Sequence, residues 1–433
     1  MRPLQSTEAA LLRHVADVQA RTRQPSLVAA VVRDGEVVWS VTRGSETGGP
    51  EPGLDLQYRI GSITKSVTAI VVVQCRDDDL LDLDEPVSAY VGDAPFRMTS
   101  LRRLLSHSGV IPAEPAGPWW ERQDDDDLDD LFTRVADQSL IEQRRARFHY
   151  SNLGYALLGA VVERVRGASW FDVVHERVLT PLGMSRTSYS PQQPYASGWS
   201  VHPHTGRLHP EPSTDTGAMA PAGQLWSTAA DMARLAAFWT EPNGVLAAES
   251  VREMTSTHAA DLVAGMPGYG LGVHVEPAAG SGVRVGHGGS MPGFLAGLTA
   301  EPETRVAAVA LANATAGETT ALPGRLVDQV LAAEPAPAPA WQPEPVVAGA
   351  DELVGAWYWG NTPYLLAIRS GWLMLEHSNP ARTSRFEHMD ADSWRGLDAY
   401  FAGETLRVVR DQTGAIARLD LATYELTRQP YSG

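Results

Sequence analysis

Proline occurs five times in eleven residues, at Pro335, Pro337, Pro339, Pro343 and Pro345. Each ring fixes φ and removes a backbone donor, so neither a helix nor a central strand can run through this segment. The run predicts a stiff linker over residues 334–349. The chain is patterned differently on its two sides. Residues 1–333 mix helical and strand-like periodicity, whereas residues 350–433 hold short apolar runs separated by turn residues. The expected organisation is an α/β (α+β) domain over 1–333 and a small all-β domain over 350–433.

The first domain opens with an amphipathic helix over 7–21, carrying Leu11, Leu12, Val15 and Val18. Two β-branched runs, 27–32 and 36–41, follow around Arg33-Asp34-Gly35, a strong hairpin signal. From Ser62 to Arg76 the chain is apolar on almost every face, which predicts a buried helix starting at Gly61-Ser62. Residues 77–185 read as mostly helical, with one helix over 153–165 stopped by Gly167 and another over 170–179 stopped before Pro181. The stretch 186–224 reads as loop, with one hairpin at His204-Thr205-Gly206. Thr228-Ala229-Ala230-Asp231 looks like a capping box opening a helix to Phe238. Strands are expected at 269–275, 283–286, 296–300 and 305–312, then a helix over 324–332. Beyond the linker, strands are expected at 353–359, 365–369, 372–376, 384–388, 405–410 and 415–421.

Composition narrows the function. With 43% hydrophobic and 20% charged residues the chain can build a sizeable core, which excludes disorder, collagen and coiled coil as its main state. Its formal charge of −17 opposes approach to nucleic acid or to an anionic membrane, so neither is an expected partner. A single cysteine, Cys75, excludes an internal disulfide and a multi-cysteine metal site. The N-terminus lacks an apolar leader and no apolar run reaches the ~20 residues of a membrane helix; the expectation is a cytoplasmic protein with no cofactor, no metal and no membrane partner.

Three clusters could carry chemistry. Ser62 and Lys65 are three apart and share a helix face. A serine hydroxyl needs a base to become a nucleophile, and a lysine in a low-dielectric site can lose its proton and serve as that base. The helix N-terminus adds N–H groups suited to a developing oxyanion. Tyr150-Ser151-Asn152 directly precedes a helix, where Tyr150 could move protons and Asn152 could hold a substrate carbonyl. His287-Gly288-Gly289 follows a strand-like run, and its glycines would let a substrate approach closely. Taken singly, these clusters read first as a capping serine with a solvent-facing lysine, a capped helix with a packed tyrosine, and a turn.

Taken in order, Ser-x-x-Lys at 62–65, Tyr-x-Asn at 150–152 and His-Gly-Gly at 287–289 resemble the serine β-lactamase and penicillin-binding-protein superfamily, on its class C, D-aminopeptidase and family VIII carboxylesterase side. The flanks Tyr58-Arg59-Ile60-Gly61, Leu104-Leu105-Ser106-His107-Ser108-Gly109 and Pro221-Ala222-Gly223-Gln224-Leu225-Trp226-Ser227-Thr228 are similar too, so the resemblance spans about residues 8–333. It implies an antiparallel sheet flanked by helices, with a mostly helical insert at about 77–225. It also implies Ser62 as the acylated nucleophile, Lys65 as its base partner, Tyr150 as proton shuttle and Asn152 as a substrate-orienting amide. His287, Gly288, Gly289 and Ser290 would line the substrate, and the backbone of Gly289 or Ser290 would complete the oxyanion hole. His287 stands where β-lactamases carry a lysine, which makes efficient β-lactam hydrolysis doubtful, because histidine is only partly charged near neutrality. The C-terminal strands are similar to lipocalin-like modules that follow some members.

The expected activity is hydrolysis of an ester or a short amide, including substrates that contain a D-amino acid, through a Ser62 acyl-enzyme. The alternatives are an acyltransferase or peptide cyclase releasing non-ribosomal peptides, and a non-catalytic binding protein on the same fold. Other features carry less. Six aspartates within residues 124–130 read as a solvated helix start, and His202, His204 and His209 lack the further ligand a zinc site needs. Trp119-Trp120 read as rim packing or as a site mouth, Cys75 as a buried inert thiol and His107 as structural.

Overall fold

The computed structural model describes residues 2–45, 52–124, 127–141, 148–242, 244–260, 268–278, 282–335 and 340–431. The chain divides into two compact units, residues 1–336 and 337–433.

The first unit is built on a seven-stranded antiparallel sheet. Its strands are β1 (Ser26–Arg33), β2 (Glu36–Gly44), β3 (Gly268–Tyr269), β4 (His274–Pro277), β5 (Val283–Met291), β6 (Phe294–Glu301) and β7 (Val306–Ala312), in the order β2-β1-β7-β6-β5-β4-β3. Asp34 and Gly35 take φ of 53° and 79°, the left-handed pair of a tight hairpin turn. The continuous apolar runs of β1 and β7 arise because both faces are covered. Leu27, Ala29, Val31, Ala308 and Ala310 pack with α1 (Gln5–Arg21) and α5 (Leu322–Ala333). Val28, Ala30, Val32, Val309 and Leu311 face the other way, into the main core shared with α2 (Ile63–Asp77), α3 (Asn152–Arg166) and α4 (Ala229–Thr240).

Two of these helices, α3 and α4, are started by a side-chain cap. Ser151 accepts from Gly154 N at 3.0 Å, and Thr228 accepts from Asp231 N at 3.1 Å. Gly167 ends α3 in the left-handed region at φ 68°. α2 is buried from Ile63 to Cys75, but Ser62 at its N-cap makes no capping bond, so its hydroxyl remains available. Asp127 caps residues 128–135 through Asp129 N and Asp130 N, which accounts for part of the aspartate run; Asp125 and Asp126 lie outside the described residues.

Three expectations need correction. Residues 269–275 do not form one strand. The chain turns between β3 and β4, where Gly272 at φ 85° lies so close to α2 that a Cβ would sit 2.2 Å from the Ala69 methyl. The stretch 217–223 is helical, not loop: a 3₁₀ turn, Gly217–Met219, runs into the short helix Ala220–Gly223. Its apolar small residues are buried against α2 and α3, which overrides their weak local signal. Residues 77–185 contain only short helices before α3 (Ser88–Val91, Leu101–Leu105 and Leu128–Val135), so much of this insert is irregular; residues 142–147 lie outside the described set.

The second unit is an eight-stranded antiparallel meander: β8 (Gly355–Trp359), β9 (Thr362–Arg369), β10 (Trp372–Glu376), β11 (Ser384–Asp390), β12 (Ser393–Gly396), β13 (Thr405–Arg410), β14 (Ile416–Leu421) and β15 (Tyr424–Leu426). Trp357, Leu366, Leu375, Phe386, Trp394 and Leu419 fill its interior. Tyr358 and Thr427 exchange hydrogen bonds of 2.8 and 2.9 Å, which bring the first strand against the end of the last and nearly close a barrel. β12 and β15 have no counterpart in the sequence-based expectation, being only four and three residues long.

Candidate active site

The start of α2 meets strand β5 and the Ala220–Gly223 helix. Gly61 has φ 50°, and a Cβ there would lie 2.6 Å from Ser290 N. A Cβ on Gly289 would lie 1.9 Å from the Ile60 carbonyl oxygen. Glycine at both positions lets β5 run directly beside the turn that carries Ser62, so the Ser290 main chain borders Gly61. Gly289→Ala is expected to cost about 2–4 kcal/mol, because the obstruction is backbone. Thermal unfolding tests this, and an unchanged melting temperature would refute so close an approach.

Lys65 is fully buried. Its Nζ donates to Ser62 Oγ at 2.9 Å and to the Ala222 carbonyl at 2.7 Å. It also lies 5.0 Å from the centroid of the Tyr150 ring and 5.7 Å from that of Tyr155. Burial lowers its pKa from 10.5 to about 7, against the weaker opposing pull of Glu114 and Glu121. The Tyr150 hydroxyl is buried without a well-formed hydrogen bond. Burial pushes its pKa up, while the neighbouring Ser62 hydroxyl acts in the opposite sense.

Asn152 sits at the start of α3, and its Nδ2 donates to Glu114 Oε1 at 2.6 Å. The other Glu114 oxygen accepts from Trp120 Nε1 at 2.7 Å. Trp120 is buried and lies against Gly223, which settles it as a wall of this region; Trp119 is exposed.

His287 lies in β5 with its ring buried. Its Nδ1 is 2.6 Å from the Gly288 carbonyl, and its Nε2 is 3.0 Å from the Tyr269 hydroxyl. A carbonyl can only accept, so Nδ1 carries the proton and Nε2 accepts from Tyr269. Both ring nitrogens are therefore engaged within the protein. Burial, reinforced by His274 and Lys65, holds its pKa well below the usual imidazole range. His107 is similarly buried: Nδ1 accepts from Ser151 N at 3.1 Å, and the ring lies 4.1 Å from Tyr150 and 4.7 Å from Tyr269.

The structure thus brings Ser62, Lys65, Tyr150 and Asn152 together beside the β5 segment carrying Gly288, Gly289 and Ser290. It turns the His287 side chain towards Tyr269. Sequence reasoning missed Glu114, the Ala222 carbonyl and Tyr269. The first lies in an irregular loop and the second is a backbone group, so neither had a residue-type signal. Cys75 is buried, as expected, with Arg166 Nε at 3.3 Å. Among the described residues no three His, Cys, Asp or Glu side chains are grouped to hold a metal ion; His202 Nδ1 accepts from His204 N and Thr205 N, and its ring lies edge-on or tilted to those of His204 and His209. No described helix is long and apolar enough to cross a membrane.

The beta-lactamase family signature matches residues 11–332, a span that contains all of these groups. The chain belongs to the beta-lactamase family. Residues 346–428 match DUF7586, a domain of unknown function. Beta-lactamase-like protein 2 of Dictyostelium discoideum is 32% identical over 235 residues, covering 50% of this chain and 43% of that protein. Esterase EstB of Burkholderia gladioli is 30% identical over 226 residues, 47% of this chain and 56% of the esterase. The chain therefore spans about half the length of the curated relatives it matches. A penicillin-binding protein homologue from Pyrococcus abyssi shares the fold at a TM-score of 0.64 and 20% identity, covering 97% of this chain and 99% of that one.

Proposed function

We propose that this beta-lactamase-family chain is a serine hydrolase that acts through a Ser62 acyl-enzyme on esters or short amides, including those built on D-amino acids. The observation that carries this reading is Lys65 Nζ, 2.9 Å from Ser62 Oγ, in a fully buried setting that lowers its pKa to about 7. A lysine so placed is substantially neutral at physiological pH and can take the serine proton as Oγ attacks the carbonyl. Tyr150 is held in its protonated form by burial, which suits it to deliver a proton to the leaving group rather than to start the reaction as a phenolate. The proton that Lys65 takes from Ser62 is thus replaced on the departing oxygen or nitrogen by way of Tyr150. Water then attacks the acyl-enzyme by the same route in reverse. The main-chain N–H groups of Ser62 and Ser290 are the proposed oxyanion donors. With His287 neutral and turned to Tyr269, the site offers no cation for a β-lactam carboxylate there, so β-lactam turnover is expected to be weak. The relationship to an esterase supports the reading.

The test is p-nitrophenyl butyrate hydrolysis by wild type and Ser62→Ala, with intact mass spectra. Wild type should turn over and show a butyryl adduct on Ser62, while Ser62→Ala should be inert and unmodified. Turnover that survives in Ser62→Ala would sink the assignment.

A further inference from the structure

We propose that a second pocket, apart from the Ser62 site, binds a hydrophobic amine that acts as an effector of Lys65. The pocket encloses about 450 Å³ among α3, the Trp170–Val174 helix and the Ala220–Gly223 helix. That is the size of an ordinary small-molecule site. None of Ser62, Lys65, Tyr150, Asn152 or the β5 residues lines it. Its walls are Leu128, Trp170, Phe171, Tyr189 and Pro221, with Glu163 beside them. The Phe171 and Tyr189 rings meet edge to face at 5.7 Å. An apolar, flat-bodied ligand would displace water from these walls.

The surrounding charges set the other half of the ligand. Glu163 Oε1 accepts from Trp170 N at 2.8 Å, which holds the carboxylate beside the aromatic wall. Among the described residues no lysine, arginine or histidine nitrogen pairs with that carboxylate. Arg164, the next residue on α3, lines the adjoining groove with Tyr90 and is not part of the pocket lining. Ser169 and Tyr189, also at the pocket, donate to two more carboxylates, those of Asp172 and Asp215. The charge of Asp215 is partly offset by Arg59. An anion would be repelled here, whereas an ammonium group would gain a charge-assisted hydrogen bond at Glu163 and an aromatic face next to it.

The pocket shares a wall with the Ser62 site. Pro221 lines the pocket, and its carbonyl accepts from Thr68 Oγ1 at 2.9 Å. The carbonyl of the next residue, Ala222, accepts from Lys65 Nζ at 2.7 Å. Trp170 Nε1 donates to the same Thr68 hydroxyl at 3.2 Å. Thr68 lies three residues after Lys65 on α2, on the same face. A ligand that presses on Pro221 or Trp170 therefore acts on the carbonyl that holds Lys65, and its binding is coupled to the state of that lysine.

Calorimetry and kinetics on the full chain test this. The probes are tryptamine and indole-3-propionate, which share an indole ring and arm but carry opposite charge. Tryptamine is expected to bind about tenfold or more tighter, and sodium chloride should erode the difference. Glu163→Gln keeps an oxygen for Trp170 N and should bring the two probes within about twofold of each other. Ala160→Phe, which adds a ring to the pocket lining, should weaken tryptamine about tenfold or more. Saturating tryptamine should change the wild-type kcat for p-nitrophenyl butyrate by about twofold or more with KM little altered. No binding of tryptamine, binding that survives Ala160→Phe, or a preference untouched by Glu163→Gln would overturn the proposal. So would a kcat unmoved at saturation, including the case in which KM alone rises and the amine competes at Ser62. Glu163 is exposed, so Glu163→Gln decides the matter if the larger side chain at 160 disturbs folding. The calorimetric measurements need no turnover, so they judge the pocket even if the Ser62 reading falls.

Discussion

Lys65→Met is expected to lose about 10³-fold in kcat/KM for p-nitrophenyl butyrate while becoming more resistant to urea. The two effects share one cause. In wild type the ammonium is fully buried, with Ser62 Oγ and the Ala222 carbonyl as its hydrogen-bond partners. Placing charge there is costly, and the pKa of about 7 against 10.5 expresses that cost. Methionine fills a similar volume without it, although it leaves the Ala222 carbonyl short of a donor. Between pH 7 and 10.5 the unfolded chain holds a proton on residue 65 that the folded chain has released, so wild-type stability should rise with pH across that window. The methionine variant lacks this slope. Its advantage should therefore be greatest below pH 7 and shrink by about 2–3 kcal/mol by pH 9. Urea unfolding of both proteins at pH 6 and pH 9 reads this directly. A methionine variant that turns over like wild type, or whose stability advantage grows with pH, would contradict the role given to Lys65.

The second large effect is on pH dependence. If neutral Lys65 takes the Ser62 proton, kcat/KM should climb about tenfold per pH unit below pH 7 and flatten above it, leaving roughly one hundredth of the plateau at pH 5. No imidazole step should be superimposed near pH 6.5, because burial holds His107 and His287 well below their usual range and His274 at about 4. Were Tyr150 the base as a phenolate, activity would instead keep rising above pH 10, since burial pushes its pKa upward. A profile with that alkaline limb would transfer the base role to Tyr150.

The parts of this site that were legible in sequence are those set by local rules. Ser62 and Lys65 meet because three residues of helix put them on one face, and the observed 2.9 Å contact follows from that spacing. The Ser151 cap, the Gly167 terminus and the Asp34-Gly35 turn are likewise dictated by a few neighbouring residues. What failed depended on distance along the chain. Glu114 reaches Asn152 across 38 positions. Ala222 contributes a backbone oxygen across 157. His287 lies in strand β5, but its hydrogen bonds to Gly288 and Tyr269 turn the ring inward. The split of 269–275 into two strands came from Gly272 pressed against α2, a constraint that exists only once the helix is in place.

The seam between Tyr358 and Thr427 has a consequence of its own. A meander whose outer strands meet presents no long unpaired flank onto which another chain could zip. It also makes entry and exit of the chain near neighbours, so the order of its strands along the gene is almost arbitrary. Joining residues 355 and 427 by a short tether and opening the chain in the turn between β13 and β14 should return the same barrel with a different beginning.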